Sequence, residues 1–291
     1  MRFKKIMSLL LVVAVSVVAI ACSKNKANDN NKIQVVTSTN VYADIAKNIV
    51  GKYGKVTAII KNGDTDPHDF EPTTKSGLVL SHADIIIANG MGYDNWMQKL
   101  AKANGKKAVR VGEDIMKYKS NANPHIWYNL QMPTKYVNYL VRRLTKLDKK
   151  HAKYYQTNAE EYLAKIAKIK QVSSQIDGKK SKPVFVSEPV FDYALEASGF
   201  KIGNRDFEEA IENEVDPSAK IISKMNRQIK NKEIAFFVNN TQASSSTVNT
   251  LVKKAKSNGI KVISVRETMP NGVTYYNWMK QNYDNLAKVA K

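Results

Sequence analysis

The sequence predicts an α/β protein of two similar doubly wound lobes joined by one long connecting helix. Three observations carry that prediction. Short β-rich runs alternate with helical patterns through both halves of the chain, as parallel βαβ units require. The alternation stops once, over a polar stretch without Pro or Gly, where Tyr155, Tyr162, Ile166, Ile169, Val172 and Ile176 recur at helical spacing. The chain that follows the N-terminal segment, residues 22–291, is also long enough to bury a substantial core and to divide in two.

In the first half, residues 33–38 read as a strand and 41–50 as a helix, with Asn40 as its N-cap. Residues 56–60 form the second expected strand. A helix over 72–83, a buried strand over 84–88, a helix over 93–103, a strand over 108–111 and a helix over 134–147 complete the N-terminal lobe, 33–148. The connecting helix is assigned to 149–177. About 27 residues of it span roughly 40 Å, enough to cross a two-lobed molecule. Its stiffness predicts only modest opening of the lobes. The C-terminal lobe, 178–291, repeats the theme. Strands are expected over 184–187, 234–238 and 262–265, and helices over 190–197, 217–230, 244–257 and 275–290. No internal repeat is visible.

The N-terminus sets the compartment. Arg2, Lys4 and Lys5 precede an apolar run over 6–21 that is broken only by Ser8 and Ser16. That layout is a secretory signal peptide, 1–21, and its apolar run is shorter than the roughly 20 residues of a stable membrane span. The polar segment 22–32 after it has the composition of a flexible tether. The only cysteine, Cys22, stands at the junction. Ala19-Ile20-Ala21-Cys22 resembles a bacterial lipobox, although Ala19 stands where a larger aliphatic is usual. Acylation of Cys22 disposes of a thiol that has no intramolecular partner in an oxidising compartment. The expected location is therefore the extracytoplasmic face of the bacterial cell membrane, lipid-anchored.

The formal net charge is +20, three charges of which leave with the signal peptide. The lysines are spread along the whole chain, without an RNP-like, zinc-finger or helix-turn-helix pattern. A cationic surface beside an anionic envelope accounts for them, and nucleic acid is not an expected partner.

Four histidines occur, and two have distinctive surroundings. Asp64-Thr65-Asp66-Pro67-His68-Asp69-Phe70-Glu71-Pro72-Thr73 follows the second strand, and ligands of doubly wound sheets bind at the carboxyl ends of strands. Asn123-Pro124-His125-Ile126-Trp127 is the other setting, a loop ahead of a helix with Pro124 fixing the approach. His82 reads as a helix C-terminal residue, where a cation is favoured. His151 falls on the connecting helix and is expected in solvent. Trp96, Trp127 and Trp278 read as packing residues. Glu208, Glu209, Glu212, Glu214 and Asp216 form an acidic island, expected as a solvated face or a docking surface.

The two histidine segments resemble the metal-binding solute receptors of ABC importers, the zinc/manganese cluster A-I lipoproteins. Their motifs are D-P-H-x-[FY]-E-P-[ST] and [DN]-P-H-[IV]-W, and the likeness extends from lipobox to second lobe. It implies His68 and His125 as two metal ligands. A third comes from Ser187-Glu188-Pro189, similar to the Ser-Glu form of that motif. The fourth is usually an Asp after the last strand, and here Glu267 stands in its place. Tyr128-Asn129 also departs from the usual x-Asp-Pro. Asp66, Asp69 and Glu71 are possible partners that orient His68 rather than ligands.

Two imidazoles and two carboxylates would balance a divalent transition metal and suit Mn²⁺ better than a sulfur-rich structural zinc site does. Zinc receptors of this kind often carry a His-rich loop between the two His motifs, and residues 116–122 contain no histidine. Manganese is therefore preferred, zinc next, and Fe²⁺ possible. The resemblance implies a monomeric receptor that delivers metal to an ABC permease. Enzymatic chemistry finds no support, because H-E-x-x-H, G-x-S-x-G and a P-loop are all missing from the sequence. The alternatives are a surface adhesin or a metal-sensing lipoprotein without a transport role.

Overall fold

The computed structural model describes residues 32–67, 70–242 and 245–290. The expected signal peptide, Cys22, His68 and Asp69 lie outside the described residues. Residues 33–291 form one compact unit.

The N-terminal half contains a four-stranded parallel sheet in the order β2-β1-β3-β4. Its strands are β1 (Ile33–Thr37), β2 (Gly54–Ala58), β3 (Ile85–Ala88) and β4 (Val109–Arg110). Alternation along the strands dictates two packing faces. Val35 and Ile87 face the main core, whereas Val36 and Ile86 join a smaller cluster with Leu80, Met97 and Ala101. Helices α1 (Asn40–Val50), α2 (Thr74–Ser81), α3 (Asn95–Ala103) and α4 (Gln131–Leu147) cover those faces. A capping box between Thr73 and Ser76 starts α2. The N-cap of α1 is Thr39, not Asn40. Asn40 lies inside the first turn and spends its amide on the Met269 carbonyl, 3.0 Å away.

The connection is α5 (Ala152–Ser174), preceded by a 3-10 turn at Lys149–His151. Its 23 residues span roughly 35 Å. Tyr155, Tyr162, Ile166 and Ile169 are buried, as their spacing predicts. The helix packs on α1, α4 and α10 (Tyr275–Val289), which come from both halves of the chain. His151 is not simply solvated. It stacks on Tyr53, ring centroids 3.6 Å apart, and its Nδ1 lies 2.6 Å from Asp148.

The C-terminal half has a three-stranded parallel sheet, β5-β6-β7. Here β5 is Phe185–Val186, β6 Phe236–Asn240 and β7 Lys261–Val265. Its inner face (Val186, Phe236, Val238) continues the main core, and its outer face (Phe185, Phe237) packs under α7 (Arg205–Glu212), α8 (Ala219–Lys230) and α9 (Ser246–Ser257). A single apolar cluster therefore runs through the inner faces of both sheets. Helix α7 corrects the expected solvated island. Its Glu208 is fully buried, while Glu209 and Glu214 are exposed. The segment is only eight residues long and lacks a side-chain capping bond, and its charged residues read as a solvated island. Among the described residues no helix is long and apolar enough to cross a membrane.

Candidate metal centre

Both sheets turn the carboxyl ends of their strands toward the seam. In the first, the strand order reverses between β1 and β3, which opens a crevice at that point. The loop after β3 is organised by Asp94, whose carboxylate accepts from the amides of Asn89 (2.6 Å) and Gly90 (2.9 Å). Asn89 in turn donates to the Pro124 carbonyl at 3.1 Å and so anchors the second histidine segment.

His125 is fully buried. Its Nδ1 lies 2.8 Å from the Asn123 side-chain oxygen, which also accepts from the His125 amide. The orientation of the Asn123 amide is set by its other end, where Nδ2 donates to the Pro189 carbonyl at 2.6 Å. Nδ1 is thus the donor to Asn123, which leaves Nε2 as the nitrogen whose lone pair a cation could take. Nε2 points to Glu267 Oε1, 3.9 Å away. Asn123 links His125 to the residue directly after Glu188.

The carboxylates leave the second sheet from its two outer strands. Glu188 follows β5 and Glu267 follows β7, with Asn240 at the end of β6 between them. Asn240 Nδ2 donates to Glu188 Oε2 at 2.5 Å, and its amide donates to Ser187 Oγ at 2.8 Å. The Tyr93 hydroxyl, from the loop after β3, donates to Glu267. Burial, reinforced by the neighbouring charge of Glu188, pushes the Glu267 carboxyl up to about 8, with the Tyr93 bond acting in the opposite sense. Burial also raises Glu188, helped by Asp66 and opposed by Asn240. Glu212, on α7, is pushed up to about 7 by burial and then by Glu188. Such convergence of acids in a partly dry cleft favours a cation, which would stabilise every carboxylate at once.

A cavity of about 440 Å³ opens onto this cluster, lined by Asp64, Asp66, Glu188, Glu214, Arg266 and Glu267 among others. Asp66 sits exposed at its mouth, where its charge is felt by Glu188, Glu212 and Glu267. Glu71 is exposed, and His82 caps the end of α2. Trp127 and Trp278 are core residues, and the partly buried Trp96 donates to the Pro67 carbonyl at 3.3 Å. Among the described residues no three His, Cys, Asp or Glu side chains stand close enough to enclose an ion. His125, Glu188 and Glu267 converge without closing a cage. Tyr93, Asn123 and Asn240 escaped the sequence reading as supporting residues. The signal available was polar residues at strand ends, in Gly92-Tyr93-Asp94 and Asn239-Asn240.

The fold and the cleft define a two-sheet α/β protein with an imidazole–carboxylate seam. The chain belongs to the zinc-uptake complex component A periplasmic (ZnuA) family, whose profile matches residues 35–289. It is similar to the metal ABC transporter substrate-binding lipoprotein SloC of Streptococcus mutans, 30% identical over 308 aligned residues, covering 97% of this chain and 98% of the relative. It is also similar to the manganese ABC transporter substrate-binding lipoprotein PsaA of Streptococcus pneumoniae, 28% identical over 311 residues with 98% of each covered. Among solved structures, the Mn-bound periplasmic metal binding protein from candidatus liberibacter asiaticus superimposes with a TM-score of 0.70 at 21% identity, over 89% of this chain and all of that one. That likeness establishes the fold.

Proposed function

We propose that this protein is an extracytoplasmic receptor that captures one divalent transition metal in the seam between its sheets and passes it to an ABC permease. The observation that carries the reading is His125 Nε2 facing Glu267 Oε1 at 3.9 Å, one from each half of the chain, with the Glu188 charge beside them. His68 is the proposed fourth ligand. It continues the segment that ends at Asp66 and Pro67, and Asp66 stands at the mouth of the cavity.

The metal is cargo, and no bond is made or broken in it. A mixed nitrogen and oxygen donor set with two carboxylates supports Mn²⁺ first and Zn²⁺ second, although Zn²⁺ binds most such sites more tightly and supply then decides. The relatives named for manganese support the same order. Acylation of Cys22 would hold the receptor at the membrane, where its lipoprotein relatives are expected to meet their transporters. We read the protein as a receptor rather than an enzyme, because four protein ligands leave a bound ion little room for substrate.

The test is metal analysis of the purified mature protein after competition between Mn²⁺ and Zn²⁺. One ion per chain is expected, and none in His125→Ala. Wild-type stoichiometry and affinity in both Glu188→Ala and Glu267→Ala would overturn the ligand set.

A further inference from the structure

The segment that leads to His68 is fastened to the opposite half of the chain by a network centred on one carbonyl. The Gly63 carbonyl accepts from Thr268 Oγ1, from Arg266 Nη2 at 2.9 Å and from Gln242 Nε2 at 3.4 Å. Gln242 grips Thr268 at two points. Its Oε1 accepts from the Thr268 amide at 3.0 Å, and its Nε2 donates to Thr268 Oγ1 at 2.7 Å. The Thr268 hydroxyl has two acceptors within reach, the Gly63 carbonyl and, at 3.0 Å, Gln242 Oε1, and the Gly63 carbonyl is the nearer. On the other flank, the Gly63 amide donates to Asn271 Oδ1 at 2.9 Å and Asn271 Nδ2 donates to Asn62 Oδ1 at 2.6 Å. Arg266 also pairs with Asp64 at 2.7 Å. Position 63 tolerates no side chain, because a Cβ there would stand 2.1 Å from the Met269 carbonyl oxygen.

Two of these donors, Arg266 and Thr268, bracket Glu267 in sequence, and the acceptor lies five residues before His68. We propose that residues 62–64 and 266–271 form a latch across the seam, with Thr268 as its central positioning residue. The latch sets in advance the spacing between the segment that continues into His68 and the loop that carries Glu267. The network contains no metal ligand, and Thr268 is buried. A cation arriving in the cleft then pays little of the ordering entropy of these two segments, and its departure requires the latch to open. The proposal rests on the receptor reading for its effect on metal, but not for the existence of the latch.

The test compares Thr268→Val, which keeps the shape and removes the hydroxyl, with Thr268→Ser, which restores it, and with Gly63→Ala. Two readouts are taken on the mature protein: hydrogen exchange of the amides at 63–65 without metal, and release of Mn²⁺ to a chelator. In Thr268→Val and Gly63→Ala, exchange at 63–65 should quicken while exchange in β1 and β6 stays as in wild type. Metal release should quicken about tenfold, the lower end of what supporting residues of metal sites contribute. Thr268→Ser should return both readouts to near wild type. Unchanged exchange at 63–65 in Thr268→Val overturns the latch. So does faster exchange with wild-type metal release, which would leave the contact merely structural. Should wild-type protein bind no divalent ion, the receptor reading fails, and the exchange measurement still decides whether the latch exists.

Discussion

Glu188 and Glu267 leave the two opposite edges of the same small sheet, and their side chains are held from different halves of the chain. The Glu188 carboxylate is supported from its own half of the chain, by Asn240 at the end of the central strand, and only its backbone neighbour Pro189 is tied across the seam, by Asn123. Glu267 is supported across the seam, by Tyr93 from the other sheet, and its backbone neighbour Arg266 accepts the Tyr128 hydroxyl at 2.7 Å. A carboxylate whose side-chain support lies within its own half reports chiefly on the metal. One held from across the seam couples the metal to the relation between the halves. The difference teaches that the two proposed ligands, equal in charge, need not be equal in consequence.

The largest effect that bears on this comparison comes from removing the carboxylates. Glu188→Ala and Glu267→Ala should each weaken Mn²⁺ binding about a hundredfold or more, beyond the range of supporting residues. Only Glu267→Ala should also quicken hydrogen exchange in the Gly90–Tyr93 loop of the metal-free protein, because Tyr93 loses its acceptor. Equal exchange in the two variants would erase the distinction. Removing the supports sharpens it. Asn240→Ala and Tyr93→Phe should each cost about 10–100-fold in affinity. Tyr93→Phe alone should change exchange across the seam, and it should lower metal-free stability by about 1–2 kcal/mol for the lost hydrogen bond. Titration calorimetry and urea unfolding of the same preparations read both quantities.

The asymmetry was only partly legible in the sequence. Alternating strand and helix patterns placed both parallel sheets, and the spacing of Tyr155, Tyr162, Ile166 and Ile169 placed the connecting helix, because burial of one helical face imposes that period. The histidine motifs and the Ser-Glu pair pointed to the cleft through family resemblance, which the ZnuA profile bears out at the level of the family. What supports a ligand was hidden. Tyr93 lies 174 positions from Glu267 and Asn240 lies 52 from Glu188, and nothing local in either segment names its partner. Glu208 was misplaced for a related reason. An acid among acids looks solvated until the fold sets Asp192, from a separate helix, against it with Arg205 shared between them.

That buried acid gives the smallest of the expected effects and the closest control on the comparison. Asp192, at the start of α6 (Asp192–Ala197), and Glu208 on α7 are both buried, and Arg205 bonds both, at 2.5 and 2.9 Å. Arg205 also reaches the half-exposed Glu196. One guanidinium cannot neutralise two buried carboxylates: burial raises both, Asp192 repels the Glu208 charge, Glu196 repels that of Asp192, and the pair keeps a proton that the unfolded chain gives up. The folded state then binds more protons than the unfolded one above about pH 4.5. The stability from this proton is fully present below that value and is lost as pH rises through the folded-state titration. Glu208→Gln keeps a donor for Asp192 and removes the titration. Its metal-free urea-unfolding stability should therefore fall less steeply than wild type between pH 5.5 and 8.5, by at most roughly 1.4 kcal/mol per pH unit for one proton. Parallel pH curves would dismiss the shared proton. The cluster begins four residues after Glu188 and draws on no residue of the first sheet, so exchange at 62–67 should be untouched in Glu208→Gln. If exchange there shifts, the Glu188 carboxylate is not held from its own half alone, and the two carboxylates are wired to the seam alike.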